Sequence, residues 1–298
     1  MVSEEKKAIT TQIKKFNRIP TGIYSFDSII RGGFPSGSLV LLSGEAGAGN
    51  KEFAYTSAAM LSMVRNDPAK YSTMIKQLNS LLIKDENLKL PDNICYISFN
   101  QSKESFIMEL ERSFAQDFSN SLKNIFFKDF SSKYFKSMSS TLDAKGNWPT
   151  IKNMTDEDKM NLLKDFISEL DLHAPNSIVI IDSLTKLIRA CDFDWRFLVL
   201  FLENLQSRSK KWDGLVYLLL GKGILANREE EEIMDVADGV LVFEWVQDGF
   251  SRQQAIHIRK FIGLMPHLAK DNIVRFDTTV TDTDGFMVIN VRHISGRI

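Results

Sequence analysis

The fold of this chain is decided by residues 38–52, which read Ser38-Leu-Val-Leu-Leu-Ser43-Gly44-Glu-Ala-Gly-Ala-Gly49-Asn50-Lys51-Glu52. The apolar run at its start is typical of a strand that is buried on both faces of a sheet. Three glycines follow within six residues, and helical spacing of apolar side chains begins after them, from 52 to about 64. The stretch therefore predicts a buried strand, a tight glycine-rich loop and the start of a helix.

The loop has the glycines of a phosphate-binding P-loop but lacks its charged and hydroxyl residues. The pattern is G-x-x-x-x-G-K-[ST], in which the lysine binds the terminal phosphates and the hydroxyl binds magnesium. Gly44 and Gly49 match the two glycines. Asn50, however, stands at the lysine position, and Lys51 stands at the hydroxyl position. A shift of the frame by one residue does not restore the pattern, because Glu52 would then replace the hydroxyl.

The backbone of such a loop attracts phosphate even without these side chains. Its amide groups and the partial positive charge of the following helix need only the glycines. Two interpretations follow: the loop still binds ATP or ADP, weakly and without magnesium, or it persists as a tight turn. In the first case, Lys51 would partly replace the missing charge. The candidate binding residues are Gly44, Glu45, Ala46, Gly47, Ala48, Gly49, Asn50, Lys51 and Glu52.

Length and composition are those of an ordinary globular protein. The chain has 298 residues, of which 44% are hydrophobic and 25% charged. Its net charge of -1 gives no electrostatic reason to expect nucleic acid or an anionic membrane as a partner. No apolar run is long enough to span a bilayer, and the first residues lack the apolar core of a secretory signal. We therefore expect a cytoplasmic protein in which Cys95 and Cys191 are reduced and buried.

Strands and helices alternate through most of the chain, and strands dominate its last third. The predicted strands are 94–99, 124–127, 178–181, 215–220, 239–244, 255–259, 273–276 and 285–289, and the later helices are from about 102, 155–172 and 194–211. This order predicts an α/β fold with a mostly parallel central sheet, flanking helices and an antiparallel C-terminal edge. Because no internal repeat is present, we expect a single domain over 1–298. It would carry a tail at 1–16 and insertions at about 65–93 and 131–150.

Several further segments agree with one known family in sequence and in order. They are Arg18-Ile-Pro-Thr-Gly-Ile23, Gly32-Gly-Phe-Pro-Ser-Gly-Ser38, Ile178-Val-Ile-Ile-Asp182-Ser-Leu-Thr185, Ala237-Asp-Gly-Val240 and Ile258-Arg-Lys260-Phe-Ile-Gly263. Over roughly residues 17 to 290, apart from the insertions, the chain resembles the KaiC-like branch of the RecA superfamily of ATPases. The resemblance implies a RecA-like core, often assembled into rings or filaments with nucleotide at the subunit boundary. By analogy it also suggests an archaeal role in signal transduction.

The resemblance places two catalytic carboxylates directly after the strand at 94–99. In the family that strand ends in Phe-Glu-Glu, whose acids activate the attacking water. This chain has Asn100 and Gln101 at those positions. Amides can position a water molecule but cannot accept its proton at neutral pH. A different alignment would make Glu104 the acid.

Asp182 matches the Walker B carboxylate of the family. An acid at the carboxyl end of a buried parallel strand lies at the edge where ligands bind. The alternative is that it caps the next turn together with Ser183 or Thr185. We also expect that Asp182 pairs with Lys51 and so closes the magnesium site.

Lys260 matches a lysine that the family presents to the γ-phosphate of the neighbouring subunit. The arginine that accompanies it is replaced by Ile262, which makes a hydrolysing ring less favourable. The alternative is that Arg259 and Lys260 are simply the solvated end of a strand.

Changes at four separate parts of the site favour a coordinated loss of ATPase chemistry. We therefore expect a regulatory or scaffolding pseudo-ATPase whose partners are proteins, either its own copies or active KaiC-like relatives. The first alternative is a slow ATPase in signal transduction, which would use Lys51 and an acid such as Glu104 or Glu52. The second is a recombinase-like DNA-binding protein. It is disfavoured by the four consecutive acids at 229–232, which would repel phosphate. The alternative interpretation of these acids is an acidic helix start on the surface, which gives no support to DNA binding either.

Overall fold

A computed structural model describes residues 17–293, except 68, 71, 72, 74, 75, 77–87, 132–154, 192, 193, 250, 263 and 272. The predicted tail at 1–16 lies outside the described residues. So do most of the first predicted insertion and all but one residue of the second. The expectation of a single domain with two insertions therefore stays a prediction.

The described elements alternate as the sequence predicts. The strands are β1 (Arg18–Ile19), β2 (Phe34–Pro35), β3 (Ser38–Gly44), β4 (Asn93–Ser98), β5 (Phe126–Asp129), β6 (Ser177–Asp182), β7 (Leu215–Gly221), β8 (Gly239–Asp248), β9 (Ser251–Phe261), β10 (Ile273–Thr281) and β11 (Gly285–His293). The helices are α1 (Tyr24–Asp27), α2 (Asn50–Asn66), α3 (Lys103–Ser113), α4 (Gln116–Lys123), α5 (Asp156–His173), α6 (Leu184–Cys191), α7 (Trp195–Trp212), α8 (Asn227–Val236) and α9 (Met265–Lys270).

The described strands form one large sheet and one small hairpin-like pair. The large sheet has the order β11-β10-β9-β8-β3-β7-β6-β4-β5, and β1 pairs with β2. The six strands from β8 to β5 are parallel, whereas β9, β10 and β11 are antiparallel to their neighbours. This arrangement confirms the predicted α/β fold, with its mostly parallel sheet and antiparallel C-terminal edge.

The strand β3 lies near the middle of this sheet because its side chains are apolar on both faces. All seven of its residues are buried. Val40 and Leu42 join a cluster with Phe53 of α2, while Leu39 and Leu41 join the cluster on the other face. A strand covered on both sides is the expected environment for a continuous apolar run. The loop that follows β3 is therefore attached to a rigid support.

Several boundaries differ from the predicted ones. β5 begins two residues later than expected, because Phe126 pairs with Cys95 while Ile125 packs into the core. β8 and β9 extend further than predicted and form a hairpin in which 248 pairs with 251. Cys95 is buried and free, as expected, whereas the side chain of Cys191 lies outside the described part. In the described residues no helix is long and apolar enough to cross a membrane.

Candidate functional site

The candidate site lies where the carboxyl ends of neighbouring parallel strands meet. Strand pairing aligns Gly44 of β3 with Gly221 of β7, and Ser98 of β4 with Asp182 of β6. Ligands of open α/β sheets bind at this edge. A cavity of about 390 Å³ is found here, and its lining includes the glycine-rich loop, Asn100 and Asp182. The structure therefore brings together three of the regions that the sequence singled out.

The loop between β3 and α2 is held by contacts to its carbonyl groups. The indole N–H of Trp245 donates to the carbonyl of Ala46 at 3.1 Å. The side-chain amide of Gln254 donates to the carbonyl of Gly47 at 2.8 Å. Gly49, directly before α2, has a φ of 104°, a conformation that favours glycine. Side chains of β8 and β9 thus fix the shape of the loop.

The amide groups of the loop point to no protein acceptor. Among the described residues, no hydrogen bond is formed by the backbone N–H groups of Ala46, Gly47, Gly49 or Lys51. Gly49 and Lys51 lie at the N-terminus of α2, a helix of 17 residues, where the helix dipole is positive, and Ala46 and Gly47 lie in the loop directly before it. Free N–H groups in such a turn fit a phosphate group. The backbone part of a nucleotide site is therefore present in the geometry.

Asn50 packs against the end of β3. Its side-chain amide donates to the carbonyl of Leu42 at 3.3 Å. A methyl group added at Gly44 would lie 2.4 Å from Cγ of Asn50, so the two residues are in close contact. Asn50 thus fills the space beside the strand and brings no positive charge to the loop.

Lys51 and Asp182 form the ion pair that the sequence suggested. Nζ of Lys51 lies 3.9 Å from Oδ2 of Asp182, whose side chain is 0% exposed, compared with 40% for the lysine. The hydroxyl of Tyr96 donates to Oδ2 at 2.6 Å, and the amide of Asn100 donates to Oδ1 at 2.5 Å. Both oxygens of the carboxylate are therefore bonded within the protein.

Burial controls the protonation of Asp182. It raises the pKa of the carboxyl above its ordinary value, although Lys51 and the hydrogen bonds from Tyr96 and Asn100 lower it. The negative charge of Glu109 raises this pKa further. Burial, followed by the charge of Asp182, also raises the pKa of Tyr96, so its phenol stays protonated and can donate. The ion pair with Lys51 and the hydrogen bonds from Tyr96 and Asn100 thus offset part of the cost of burying the charged carboxylate.

Ser183, and not Asp182, caps the helix that follows β6. The hydroxyl of Ser183 accepts the backbone N–H of Lys186 at 3.3 Å and so caps the first turn of α6. The hydroxyl of Thr185 accepts the backbone N–H of Gly221 at 3.0 Å, which ties α6 to β7. Asp182 itself bonds to side chains across the site.

The amide of Gln101 leads to an acid that the sequence reasoning missed. Its Nε2 donates to Oε2 of Glu109 at 2.8 Å. Glu104, the acid of the alternative alignment, is exposed in the first turn of α3 and does not line the cavity. Its own backbone N–H and the Ser102 hydroxyl lower the pKa of Glu104. The only sequence signal for Glu109 is its place about two turns into α3, on the side of Phe106.

Glu45 of the loop is neutralised by a lysine at the end of β7. Nζ of Lys222 lies 3.2 Å from the carboxylate of Glu45 and 3.1 Å from that of Glu244. Burial tends to lower the pKa of Lys222, but hydrogen bonds to Glu244 and Glu45 raise it above its ordinary value. His257 lies 2.7 Å from Glu244 on the far side. The acid at the second position of the loop therefore has a matching cation.

Lys260 lies away from the cavity. Its Nζ donates to the backbone carbonyl of Asp235 at 2.5 Å, at the end of α8. Arg259 forms an ion pair with Glu231 at 2.8 Å, and Ile262 is 63% exposed. A role of Lys260 towards a neighbouring subunit stays a prediction.

The acidic run at 229–232 forms the first half of α8, and each acid has a partner within the chain. Glu229 accepts the backbone N–H of Ala226 at 3.0 Å, and Glu232 accepts from the indole of Trp195. Glu230 accepts the backbone N–H of Gly223 at 2.7 Å and is buried. The expectation of an acidic helix start is met, although this central acid is not on the surface.

The arrangement defines the class of protein. A glycine-rich loop joins a central strand to a helix, and β7 separates that strand from β6, whose last residue is a buried acid. This is the arrangement of a RecA-type P-loop fold. Within the described residues, no group of three or more His, Cys, Asp or Glu side chains is placed to hold a metal ion.

Comparisons with known proteins agree with this class. The family model of the KaiC ATPase matches residues 19–62, which include the whole loop. A crystal structure of a KaiC-like protein from the hyperthermophilic archaeon Pyrococcus horikoshii superposes with a TM-score of 0.60 at 18% sequence identity. The match covers 92% of this chain and 100% of that one. A search among curated proteins found no match. The family model thus confirms the resemblance to KaiC over residues 19–62, and the structural match shows the same fold over most of the chain.

Proposed function

We propose that this chain is a regulatory or scaffolding pseudo-ATPase, which binds ATP or ADP weakly and without magnesium. The observation that carries the proposal is the contact of 3.9 Å between Lys51 and the buried carboxylate of Asp182. In P-loop enzymes the corresponding hydroxyl and acid hold the metal. Here a cation stands in the metal's region, and both oxygens of the acid already accept hydrogen bonds.

The residues of the site suit a phosphate group and a magnesium ion to different degrees. The free N–H groups of the loop and of the start of α2 suit a phosphate, and the glycine-rich loop lines the cavity. Magnesium requires oxygen ligands in octahedral geometry and would meet an ammonium group instead. The donor set therefore fits the nucleotide phosphates but not the magnesium ion.

The partners of such a module are proposed to be proteins, either copies of this chain or active KaiC-like relatives, in a cytoplasmic signalling pathway. A regulatory subunit can respond to nucleotide without hydrolysing it, because binding alone shifts the population of its conformations. The amides Asn100 and Gln101, at the usual acid positions, support this proposal.

The experiment is a calorimetric titration of the full chain with ATP, once with magnesium and once with EDTA. We expect a dissociation constant of roughly 0.1–1 mM, the same in both buffers. The variant Asp182→Asn serves as a control, since it removes the negative charge that a metal would need. It should bind ATP at least as well as the parent chain. Tight binding that depends on magnesium and is lost in Asp182→Asn would refute the proposal.

A slow ATPase remains the second candidate because of Glu109. This acid accepts a hydrogen bond from Gln101, which stands at one of the two positions where the family carries its catalytic carboxylates. Phosphate release that is abolished by Glu109→Gln, and also by Lys51→Ala, would favour this candidate. Glu104→Gln is the matched control, because that side chain is exposed on the same helix.

A further inference from the structure

A second source of positive charge lines the same cavity as the loop. Lys186 and Arg189 lie three residues apart on α6, so they share one face of that helix. Both line the same cavity as Gly47 and Lys51. In the part of the chain that the structure describes, neither side chain forms an ion pair or a hydrogen bond. They are therefore two cations directed to one cavity without a protein counter-charge.

The other charges that line this cavity are already matched. Glu45 is paired with Lys222, and Asp182 is paired with Lys51. The net excess of positive charge in the lining thus comes from Lys186 and Arg189. A cavity with walls of one charge sign concentrates ions of the opposite sign.

The helix that carries the two cations is held rigidly. Leu184 and Leu187 are buried in the core, on the side away from the cavity. The hydroxyl of Thr185 binds the backbone of Gly221, the residue that β-sheet pairing places beside Gly44. The distance between the cation pair and the loop is therefore set by the sheet itself and does not depend on a flexible segment.

We infer that Lys186 and Arg189 bind the terminal phosphates of a metal-free di- or triphosphate, and so replace the charge that Asn50 does not provide. The loop amides hold the inner phosphate groups, and the α6 cations hold the outer ones. Arginine suits this task because its planar group can donate two parallel hydrogen bonds to one phosphate. The inference rests on the proposed function, since it names the residues and the ligand class of that same site.

The test uses the full chain in EDTA, titrated calorimetrically with ATP and with inorganic tripolyphosphate. We expect Lys186→Ala and Arg189→Ala each to weaken binding of both ligands by about tenfold, since each removes a charge-assisted bond. The control is Lys211→Ala, which removes the same charge near the opposite end of β3, beside Gly37. It should change neither affinity. Circular dichroism and thermal unfolding verify that each variant is folded.

The outcomes separate this inference from the proposed function. If the parent chain binds ATP but the double variant Lys186→Ala, Arg189→Ala binds it equally well, the inference is wrong and the proposed function stands. If the parent chain binds neither ligand, the proposed function fails and the inference fails with it. Equal losses with ATP and tripolyphosphate support the inference, because the cations then act on phosphate. A loss with ATP and none with tripolyphosphate overturns it.

Discussion

At the scale of single residues, the loop shows that two adjacent substitutions have one combined effect. Asn50 removes a cation from the phosphate side and packs against Gly44. Lys51 adds a cation on the metal side and pairs with the buried Asp182. The total positive charge of the loop is unchanged, but it is displaced from the phosphate towards the acid. The proposed inability to bind magnesium therefore rests on a displacement of charge within the loop and not on a loss of charge.

This argument predicts the result of restoring the motif. The double variant Asn50→Lys, Lys51→Thr should bind ATP at least about tenfold more tightly in magnesium than in EDTA, because a hydroxyl and a free carboxylate can then hold the ion. Calorimetry in the two buffers measures the difference.

The single variant Asn50→Lys is the matched control for this experiment. It should strengthen ATP binding without creating any dependence on magnesium, because Lys51 still occupies the region of the metal. A double variant that binds ATP equally in both buffers would show that the displaced charge is not what excludes magnesium.

At the scale of elements, the sequence predicted the strands well but not the contacts between them. The apolar runs identified β3, β4, β6 and β7, because burial on both faces leaves a local signal. Glu109 and the pair Lys186 and Arg189 were not predicted as site residues. Their relevance depends on which helix face meets the cavity, and a single sequence does not contain that information. The ion pair of Lys51 could be predicted because the family frame placed both partners.

The pair of short strands at the entry of the domain shows how local geometry fixes an element. Gly33 has a φ of 112°, and a methyl group added there would lie 2.2 Å from the carbonyl oxygen of Ile19. Arg18 donates to the carbonyl of Gly33 at 2.8 Å. The next residue, Phe34, is fully buried and stacks on Phe261 with a centroid distance of 4.6 Å. The conformation of Gly33 is therefore coupled to the core.

We predict that Gly33→Ala destabilises the fold by roughly 3 kcal/mol or more, since it combines backbone strain with a clash that no side chain can relieve. Gly223→Ala is the matched control, because Gly223 also has a positive φ, of 76°, but its added methyl group would meet nothing within 4 Å. It should cost about 1 kcal/mol. Urea unfolding of both variants measures the difference. Equal costs would show that strain alone, without the clash, decides stability at these positions.

At the scale of the whole molecule, the distribution of charge opposes a role on nucleic acid. The chain has 37 basic and 38 acidic residues, and the acids of α8 are fixed by contacts inside the protein. The basic pair on α6 lines a cavity and does not form an extended surface. A protein that binds single-stranded DNA needs a positive groove along the backbone, usually with aromatic platforms for the bases.

We therefore predict that the chain does not bind single-stranded DNA at about 0.15 M salt, where screening leaves weak electrostatic contacts without effect. Fluorescence anisotropy of a labelled oligonucleotide, titrated with protein, measures this directly. At low salt, any residual binding should come from the α6 cations and should disappear in the variant Lys186→Ala, Arg189→Ala. Micromolar binding that persists at about 0.15 M salt would contradict the prediction. It would support the DNA-binding alternative, because a local positive surface would then bind DNA although the net charge of the whole chain is close to zero.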